Sequence, residues 1–255
     1  MSVTDPVTVG VVIAGVNQIA KQAQDFIAAV SGHPGESLGT ILGNFGKRRF
    51  DNIEAVGNKA HLTLLNIGVT PGEVPLNVLH PLLDAASVQE DPTLQDTWAN
   101  LLANAADPRQ INRVSASFPG ILKELSGREV KFLDALYENA NGRLEGIFHF
   151  DSIAQIAYDI TELMDLYVSC GLAKTDSLHV VAGVDGASPE QKKDREEFFL
   201  MLDAIRRQDV LRDVTYSDPK GIWSDAPENT PLRTQFHVTT LGVAFVNACR
   251  PPKPS

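Results

Sequence analysis

The chain has 255 residues, of which 43% are hydrophobic, so it is long enough for one large domain or two modest ones with a buried core. Its formal net charge is −10, and both halves are acidic: residues 1–120 hold 7 Lys or Arg against 11 Asp or Glu, and residues 121–255 hold 15 against 21. Unspecific binding to nucleic acid or to an anionic membrane surface is therefore disfavoured.

Helical spacing begins near the N-terminus. In residues 7–30, apolar side chains recur every three or four positions, which predicts one amphipathic helix. After a turn-forming stretch, a second helical region begins near Ser37, and the pattern continues from Arg48 to Asn66.

Local sequence signals are densest from Val78 to Pro108, where two helical patterns flank a sharp corner. Asp91 is a typical N-cap, and Pro92 fits the first helical position, where no backbone N–H is needed. One face of the second helix predicts a structural core that is formed by Leu94, Trp98, Leu101 and Leu102.

The second half of the chain mixes helices with short strands. Capping boxes at Ser126 and Ser152 predict two helices, the second running from about 153 to 169. Residues 178–184 and 235–238 have the composition of strands, and Thr239 precedes a last helix.

The predicted fold class is mostly α, with an all-helical N-terminal half followed by a winged-helix-like α+β module with a helical insertion. The helical domain covers residues 1–118, with its N-terminal helix at 7–30 and its core at 36–107. The module covers 119–250, and its insertion at 185–232 holds a charged helix and then a long irregular loop over 212–233. Residues 251–255 are predicted to be a disordered tail.

The sequence predicts a cytoplasmic protein without stable membrane insertion. Cys170 and Cys249 are too few for the disulfide framework of a small secreted protein. The first six residues lack a basic n-region, and the most hydrophobic stretch, Val7 to Ile13, is far short of the ~20 residues that span a bilayer.

Catalytic and metal-binding patterns are absent from the sequence. The six histidines lack the spacing of metal ligands, and the chain has no GxSxG, no GxxxxGK[ST] and no GxGxxG after a strand. The sequence thus predicts no catalytic residue, no metal and no cofactor, and it does not indicate an enzyme.

Two surfaces are candidates for recognition. Lys47, Arg48 and Arg49 form the densest basic cluster, which suits a phosphate, an RNA or an acidic protein surface, although a solvated helix face is the alternative. The helix predicted at 153–169 takes the place of a recognition helix, yet it has no Lys or Arg. Its acidic residues favour a scaffold or a protein-binding role, so nucleic acid is a disfavoured partner.

The longest distinctive run of the chain lies at residues 94–105, LQDTWANLLANA. The chain resembles the Abi-alpha abortive infection family over Glu36 to Cys249. The resemblance rests on this run and on six shorter pieces: Ser37-Leu38-Gly39, Lys47-Arg48-Arg49-Phe50, residues 82–87, residues 118–126, Leu241-Gly242 and Ala248-Cys249. The resemblance implies a role in bacterial defence against phage and supplies no catalytic residues. Asn100 and Asn104, four residues apart beside the apolar stripe, are candidate binding residues; hydrogen bonding to a neighbouring loop is the alternative.

These observations favour a non-enzymatic interaction protein of an abortive-infection system, which binds a phage or host protein through its helical face or its insertion. One alternative is a winged-helix regulator that binds nucleic acid. Another is a membrane-perturbing effector that uses the helix at residues 7–30, although that helix has a single lysine where interfacial helices usually have several basic residues. The same helix leaves homo-oligomerisation open.

Overall fold

The computed structural model describes residues 21–32, 47–110, 113–145, 152–179, 187–216 and 233–254. Within them the chain is mostly helical, with a small three-stranded antiparallel sheet, which confirms the predicted fold class at that level. The helices are residues 21–30 (α1), Lys47–Asn66 (α2), Leu76–Ser87 (α3), Pro92–Ala106 (α4), Phe118–Lys123 (α5), Gly127–Glu145 (α6), Ile160–Ser169 (α7), Pro189–Arg207 (α8) and Thr240–Cys249 (α9). The strands are Ala157–Tyr158 (β1), Leu211–Tyr216 (β2) and Arg233–Val238 (β3).

The chain divides into two compact units. Unit 1 consists of Met1–Lys123 and Asn247–Ser255, and unit 2 of Glu124–Val246. The chain therefore leaves unit 1 after α5, builds unit 2, and returns within α9 to finish in unit 1. Two crossings of the chain, rather than one, connect the units.

Unit 1 is built from helices, of which α2 packs on both α3 and α4. At Gly57 of α2 an added Cβ would lie 2.8 Å from Ile27 Cδ1, so the absence of a side chain lets α1 approach closely. The predicted cap of α4 is present: Asp91 Oδ1 accepts hydrogen bonds from the backbone N–H groups of Thr93 and Leu94. All four residues predicted for the structural core are buried, namely Leu94, Trp98, Leu101 and Leu102.

Some predictions for the N-terminal region fall beyond the described ranges. Of the helix predicted at 7–30, residues 21–30 are helical and residues 7–20 lie outside the described residues. The helical region that begins near Ser37 also lies outside them until residue 47, where α2 begins.

Unit 2 has an aromatic core between its helices. The rings of Tyr167 and Phe198 lie edge to face at 5.3 Å between centroids, and Phe132 lies 6.3 Å and 6.4 Å from them. These three side chains are fully buried and come from α6, α7 and α8, so they fix the three helices against one another.

The sheet of unit 2 has the order β1-β3-β2, with antiparallel neighbours throughout. β3 is the central strand, because Phe236 pairs with Tyr158 on one side and with Asp213 on the other. The strand predicted at 235–238 lies within β3.

Two predictions for this half are wrong in their placement, and a third lies mostly outside the described residues. The Ser152 capping box is present but opens only a 3-10 turn, because residues 157–158 then pair with β3; a second capping box, at Asp159, starts α7. Residues 178–179 are not a strand, and 180–184 lie outside the described residues. Strand β2, which pairs with β3 over its whole length, occupies the start of the predicted loop at 212–233; residues 217–232 of that loop are not described.

The helix predicted inside an insertion between two strands is α8. It follows β1 and precedes β2 and β3, so it lies between the first strand of the sheet and the last two. Observed and predicted elements thus differ in order although most helices are present.

The last helix begins where Thr239 Oγ1 accepts a hydrogen bond from Gly242 N–H, as its predicted cap implies. An added Cβ at Gly242 would lie 2.2 Å from the carbonyl oxygen of Val210, so only glycine fits this approach. Beyond α9 the structure describes residues 251–254 of the tail that is predicted to be disordered, and Pro252 is buried there.

Candidate functional site

Asn104, one of the two asparagines in the distinctive run, binds the returning end of the chain. Its buried Nδ2 donates to the carbonyl oxygens of Ala248 at 3.0 Å and Arg250 at 2.7 Å, and it also lies 3.0 Å from that of Asn100. The last carbonyls of a helix lack partners within the helix, and that of Ala248 is among them. Asn104 therefore satisfies polar groups at the end of α9.

Asp107 and Arg109 extend this contact. Arg109 donates from Nε and Nη2 to the two carboxylate oxygens of Asp107 at 2.9 Å and 2.8 Å, and Nη2 also lies 3.2 Å from the carbonyl oxygen of Lys253. The side-chain hydrogen bond from Arg109 holds the pKa of the buried Asp107 below its ordinary value. We call Asn104, Asp107 and Arg109 the C-terminal clamp.

Asn100 does not share this role. It is half-buried, and no side-chain hydrogen bond is found for it among the described residues. The two asparagines that the sequence groups together thus differ: the Nδ2 of Asn104 donates within the C-terminal clamp, whereas the side chain of Asn100 has no hydrogen-bond partner among the described residues.

The basic cluster is largely paired within unit 1. Arg49 contacts Asp84 at 2.7 Å and donates to Ser87 Oγ at 2.8 Å, and Arg48 contacts Glu90 at 2.7 Å. Lys47 is exposed. A phosphate or an acidic partner would have to compete with these carboxylates, so the binding role predicted for Lys47, Arg48 and Arg49 stays a prediction.

The predicted recognition helix is not placed as the sequence suggests. Its helical part, α7, is followed by α8, and α8 is the helix that directly precedes the β2–β3 pair. The single glutamine offered by the predicted helix, Gln155, lies in the 3-10 turn before α7.

The inner face of α8 is fixed to unit 2 by polar contacts as well as by the aromatic core. Asp194 Oδ2 accepts hydrogen bonds from the backbone N–H groups of Lys174 and Thr175 and from Thr175 Oγ1, at 2.8–2.9 Å. Burial alone would raise the pKa of Asp194, but these bonds outweigh it and hold that pKa below its ordinary value. Arg128 of α6 adds an ion pair to Glu197 at 2.7 Å and a hydrogen bond to Tyr167 Oη.

The opposite face of α8 exposes two large apolar side chains. Phe199 is 39% exposed and Leu200 is 69% exposed. The guanidinium of Arg195 lies 5.7 Å from the centre of the Phe199 ring, a distance at which a cation and an aromatic ring attract each other. Together with four charged residues at helical spacing, the pair forms what we call the outer face of α8: Lys192, Glu196, Phe199, Leu200, Asp203 and Arg207.

No group of three or more His, Cys, Asp or Glu that could hold a metal is found in the part of the chain that the structure describes. Both cysteines are free thiols, and burial raises their pKa values. No helix within the described ranges is long and apolar enough to cross a membrane.

The sequence pattern of the abortive infection alpha family matches residues 59–249, three quarters of the chain. The chain belongs to this family. No curated protein and no solved structure matches the chain. Membership of the abortive infection alpha family indicates a role in abortive-infection defence.

The abortive infection alpha match includes α8 and the C-terminal clamp but not the basic cluster. Its first residue, 59, lies within α2, so the N-terminal pieces of the predicted resemblance, at 37–39 and 47–50, fall outside it. The match ends at 249, the last residue of α9. Both units of the molecule therefore contribute to the family pattern.

The outer face of α8 is the surface that sequence reasoning missed. A signal for it exists: Phe198 to Leu202 is a run of five apolar residues. Such a run covers more of the circumference of a helix than one buried face needs, since the apolar stripe of a surface helix holds three to four residues in two turns. At least one of the five must therefore face solvent or a partner.

Proposed function

We propose that this chain is a non-enzymatic interaction protein of a bacterial abortive-infection system and that it acts by binding a phage or host protein. Family membership supports the defence role. The outer face of α8 supports binding as the mode of action, because Phe199 and Leu200 are exposed there. The opposite face of the helix is held by hydrogen bonds to Asp194 and by the ion pair of Glu197. That exposed pair is the observation on which the proposal rests.

Unit 2 supplies the framework for such binding as a winged-helix-like module. Its elements follow the order α6, β1, α7, α8, β2 and β3. In the sheet, β2 and β3 form an antiparallel ribbon, and β1 pairs with the other side of β3. In helix-turn-helix proteins that bind DNA, the second helix of the motif lies in the major groove. In unit 2 that position belongs to α8.

A protein partner fits α8 better than nucleic acid does. The helix holds five basic and five acidic residues, so it has no net charge with which to attract a duplex. Glu196 and Asp203 lie on the outer face itself, where phosphates would approach. Exposed Phe and Leu side chains, by contrast, gain free energy when a partner removes them from water.

The free thiols of Cys170 and Cys249 suit a reducing compartment, so we place the interaction in the cytoplasm. There the partner would be either a phage protein made during infection or a host protein that infection changes.

Phage challenge tests the proposal. Bacteria expressing the wild-type chain are compared with a Phe199→Gln/Leu200→Gln variant, since glutamine keeps the helix propensity of α8 but removes its apolar contact. A Leu62→Gln/Leu65→Gln variant is the matched control, because these residues of α2 are 44% and 62% exposed. Plating efficiency and culture growth are measured against a panel of phages at equal protein levels.

We expect the wild-type chain and the α2 variant to lower plating efficiency, and the α8 variant to lose that protection. Protection by the α8 variant at the wild-type level would remove the outer face from the mechanism. A wild-type chain that protects against no phage in the panel and leaves the growth of infected cultures unchanged would contradict the defence role itself.

A further inference from the structure

The charges on the outer face of α8 are arranged symmetrically about the apolar pair. Along the helix the order is Lys192, Glu196, the pair Phe199–Leu200, Asp203 and Arg207, that is, plus, minus, apolar, minus, plus. Successive members are three or four residues apart and so lie on one side of the helix. With a rise of 1.5 Å per residue, the two outer cations lie about 22 Å apart and the two inner anions about 10 Å apart.

Most of these charges are available to a partner. Among the residues that the structure describes, Lys192, Glu196 and Arg207 form no ion pair, and all three are exposed. Asp203 is paired only with Arg206, at 3.3 Å, on the same helix. Exposed pairs of this kind are worth little, so a partner can replace it at small cost.

A second copy of the chain does not complement this surface. If two copies of α8 cross antiparallel about the apolar pair, Lys192 of one lies opposite Arg207 of the other, and Glu196 lies opposite Asp203. In a parallel pairing in register every charge faces itself. Both arrangements place like charges together, which opposes association. The outer face is therefore built for a different molecule.

We propose that the outer face of α8 binds an amphipathic helix of a partner protein whose charges follow the inverse order: acidic, basic, apolar, basic, acidic. Such a helix places its basic residues over Glu196 and Asp203 and its acidic residues over Lys192 and Arg207. Its apolar centre covers Phe199 and Leu200. This inference rests on the proposed function and adds the chemistry of the partner.

The rigidity of α8 favours this kind of binding. The helix begins at a capping box on Ser188 with Pro189 in the first helical position, and its inner face is held by the aromatic core and by Asp194. Because the Phe199 ring is also held by Arg195, little conformational entropy is lost when a partner docks. A single helix-to-helix contact is small, so we expect weak, micromolar binding.

Two synthetic helical peptides of equal composition test the proposal. The inverse peptide has Glu, Lys, Leu, Leu, Lys and Glu at the spacing of the outer face, and the same-sign peptide has Lys, Glu, Leu, Leu, Glu and Lys; both are otherwise Ala and Gln. Their binding to the full chain is measured by fluorescence anisotropy at low salt and at 0.5 M salt. We expect the inverse peptide to bind at least tenfold more tightly at low salt, and the preference to shrink at high salt.

Three variants make the test specific. The fourfold variant Lys192→Glu/Glu196→Lys/Asp203→Lys/Arg207→Glu inverts the charge order and should prefer the same-sign peptide. The variant Phe199→Gln/Leu200→Gln should bind both peptides at least tenfold more weakly than the wild type. A Leu62→Gln/Leu65→Gln variant, changed only in unit 1, should behave as the wild type, and circular dichroism checks that each variant is folded.

A preference below threefold, no binding of either peptide, or a preference unchanged in the fourfold variant would overturn the proposal. Self-association through Phe199 and Leu200, seen by sedimentation, would overturn it as well. Phage challenge separates the two proposals. If the peptides behave as expected but the α8 variants still protect cells, the proposed function fails and the binding chemistry stands. If the Phe199→Gln/Leu200→Gln variant loses protection but the wild-type chain shows no peptide preference, only the partner chemistry fails.

Discussion

Helix α4 in unit 1 and helix α8 in unit 2 use their polar and apolar residues in opposite ways. On α4 the distinctive residues make their contacts inside unit 1: Trp98 is buried, and Asn104 donates hydrogen bonds to the carbonyl oxygens of residues 248 and 250. On α8 the inner face is also buried inside its unit, but the outer face leaves an apolar pair and several charged side chains exposed.

This difference separates the sequence's most conspicuous feature from the surface that can recognise a partner. The run at 94–105 lies within the family match, and eight of its twelve residues are buried. A constrained interior is typical of residues that specify a fold. Binding a partner requires side chains that are still exposed. Such side chains lie on α8, whose sequence resembles that of an ordinary charged surface helix.

The largest expected effect concerns the C-terminal clamp. Asn104→Ala leaves the carbonyl oxygens of Ala248 and Arg250 without their partner, and an unsatisfied buried group costs about 1–3 kcal/mol. We expect the free energy of unfolding of unit 1 to fall by about 3 kcal/mol. Urea unfolding followed by circular dichroism measures it.

Asn100→Ala is the matched control, since it lies one turn earlier on the same helix and its side chain makes no hydrogen bond among the described residues. We expect a change within about 0.5 kcal/mol, because alanine has the better helix propensity. Equal losses at the two positions would show that the asparagines act as a pair, and the contrast drawn between them would be wrong.

The second prediction concerns the inner face of α8. Asp194→Asn weakens three hydrogen bonds to a buried carboxylate, and bonds to charged groups are worth more than neutral ones, so we expect unit 2 to lose about 2 kcal/mol at pH 7. Because the pKa of Asp194 is lowered in the folded chain, its contribution is complete above the ordinary value of 3.8 and is lost as the pH falls below it.

Unfolding curves measured from pH 7 down to pH 3 check this sign. The wild-type chain should lose stability more steeply than Asp194→Asn in the range below the ordinary value of 3.8. Parallel slopes would mean that Asp194 is not the group responsible. Asp107 of the C-terminal clamp titrates in the same direction in unit 1, so Asp107→Asn serves as the comparison for that unit.

Sequence patterns predicted the helices better than their order. Caps and apolar stripes are local, and so Asp91 and Ser126 mark the starts of helices correctly. Strand pairing is not local: β1 has only two residues, and it exists because β3, about 80 residues later, is available to pair with it. No pattern within residues 153–169 could reveal that partner.

The candidate site was harder to predict for a related reason. Whether Arg49 is free to bind a phosphate depends on Asp84 and Ser87, which are distant in sequence and adjacent only after α2 and α3 pack. Whether Phe199 or Phe198 faces the core depends on where α6 and α7 lie. Residue type indicated candidates, and tertiary contacts decided which of them remain available.

The third prediction divides the basic cluster. Arg49 is 34% exposed and contacts both Asp84 and Ser87, so Arg49→Ala should cost about 1 kcal/mol. Arg48 forms an exposed pair with Glu90, so Arg48→Ala should cost no more than about 0.3 kcal/mol. Thermal unfolding at low and at 0.5 M salt distinguishes them, because salt should abolish the contribution of Arg48 and leave most of that of Arg49.

The last prediction contrasts two leucines of α8, one exposed and one buried. Leu200 is 69% exposed, so Leu200→Gln should change the free energy of unfolding of unit 2 by less than about 0.5 kcal/mol, whereas Leu202→Gln on the buried face should cost about 3 kcal/mol. Urea unfolding of the two variants measures the difference. A large loss at Leu200 would mean that its side chain supports the fold, and the outer face of α8 would then resemble α4, with its groups already used inside the unit. A negligible loss leaves partner binding as the physical role for an exposed leucine between two anions.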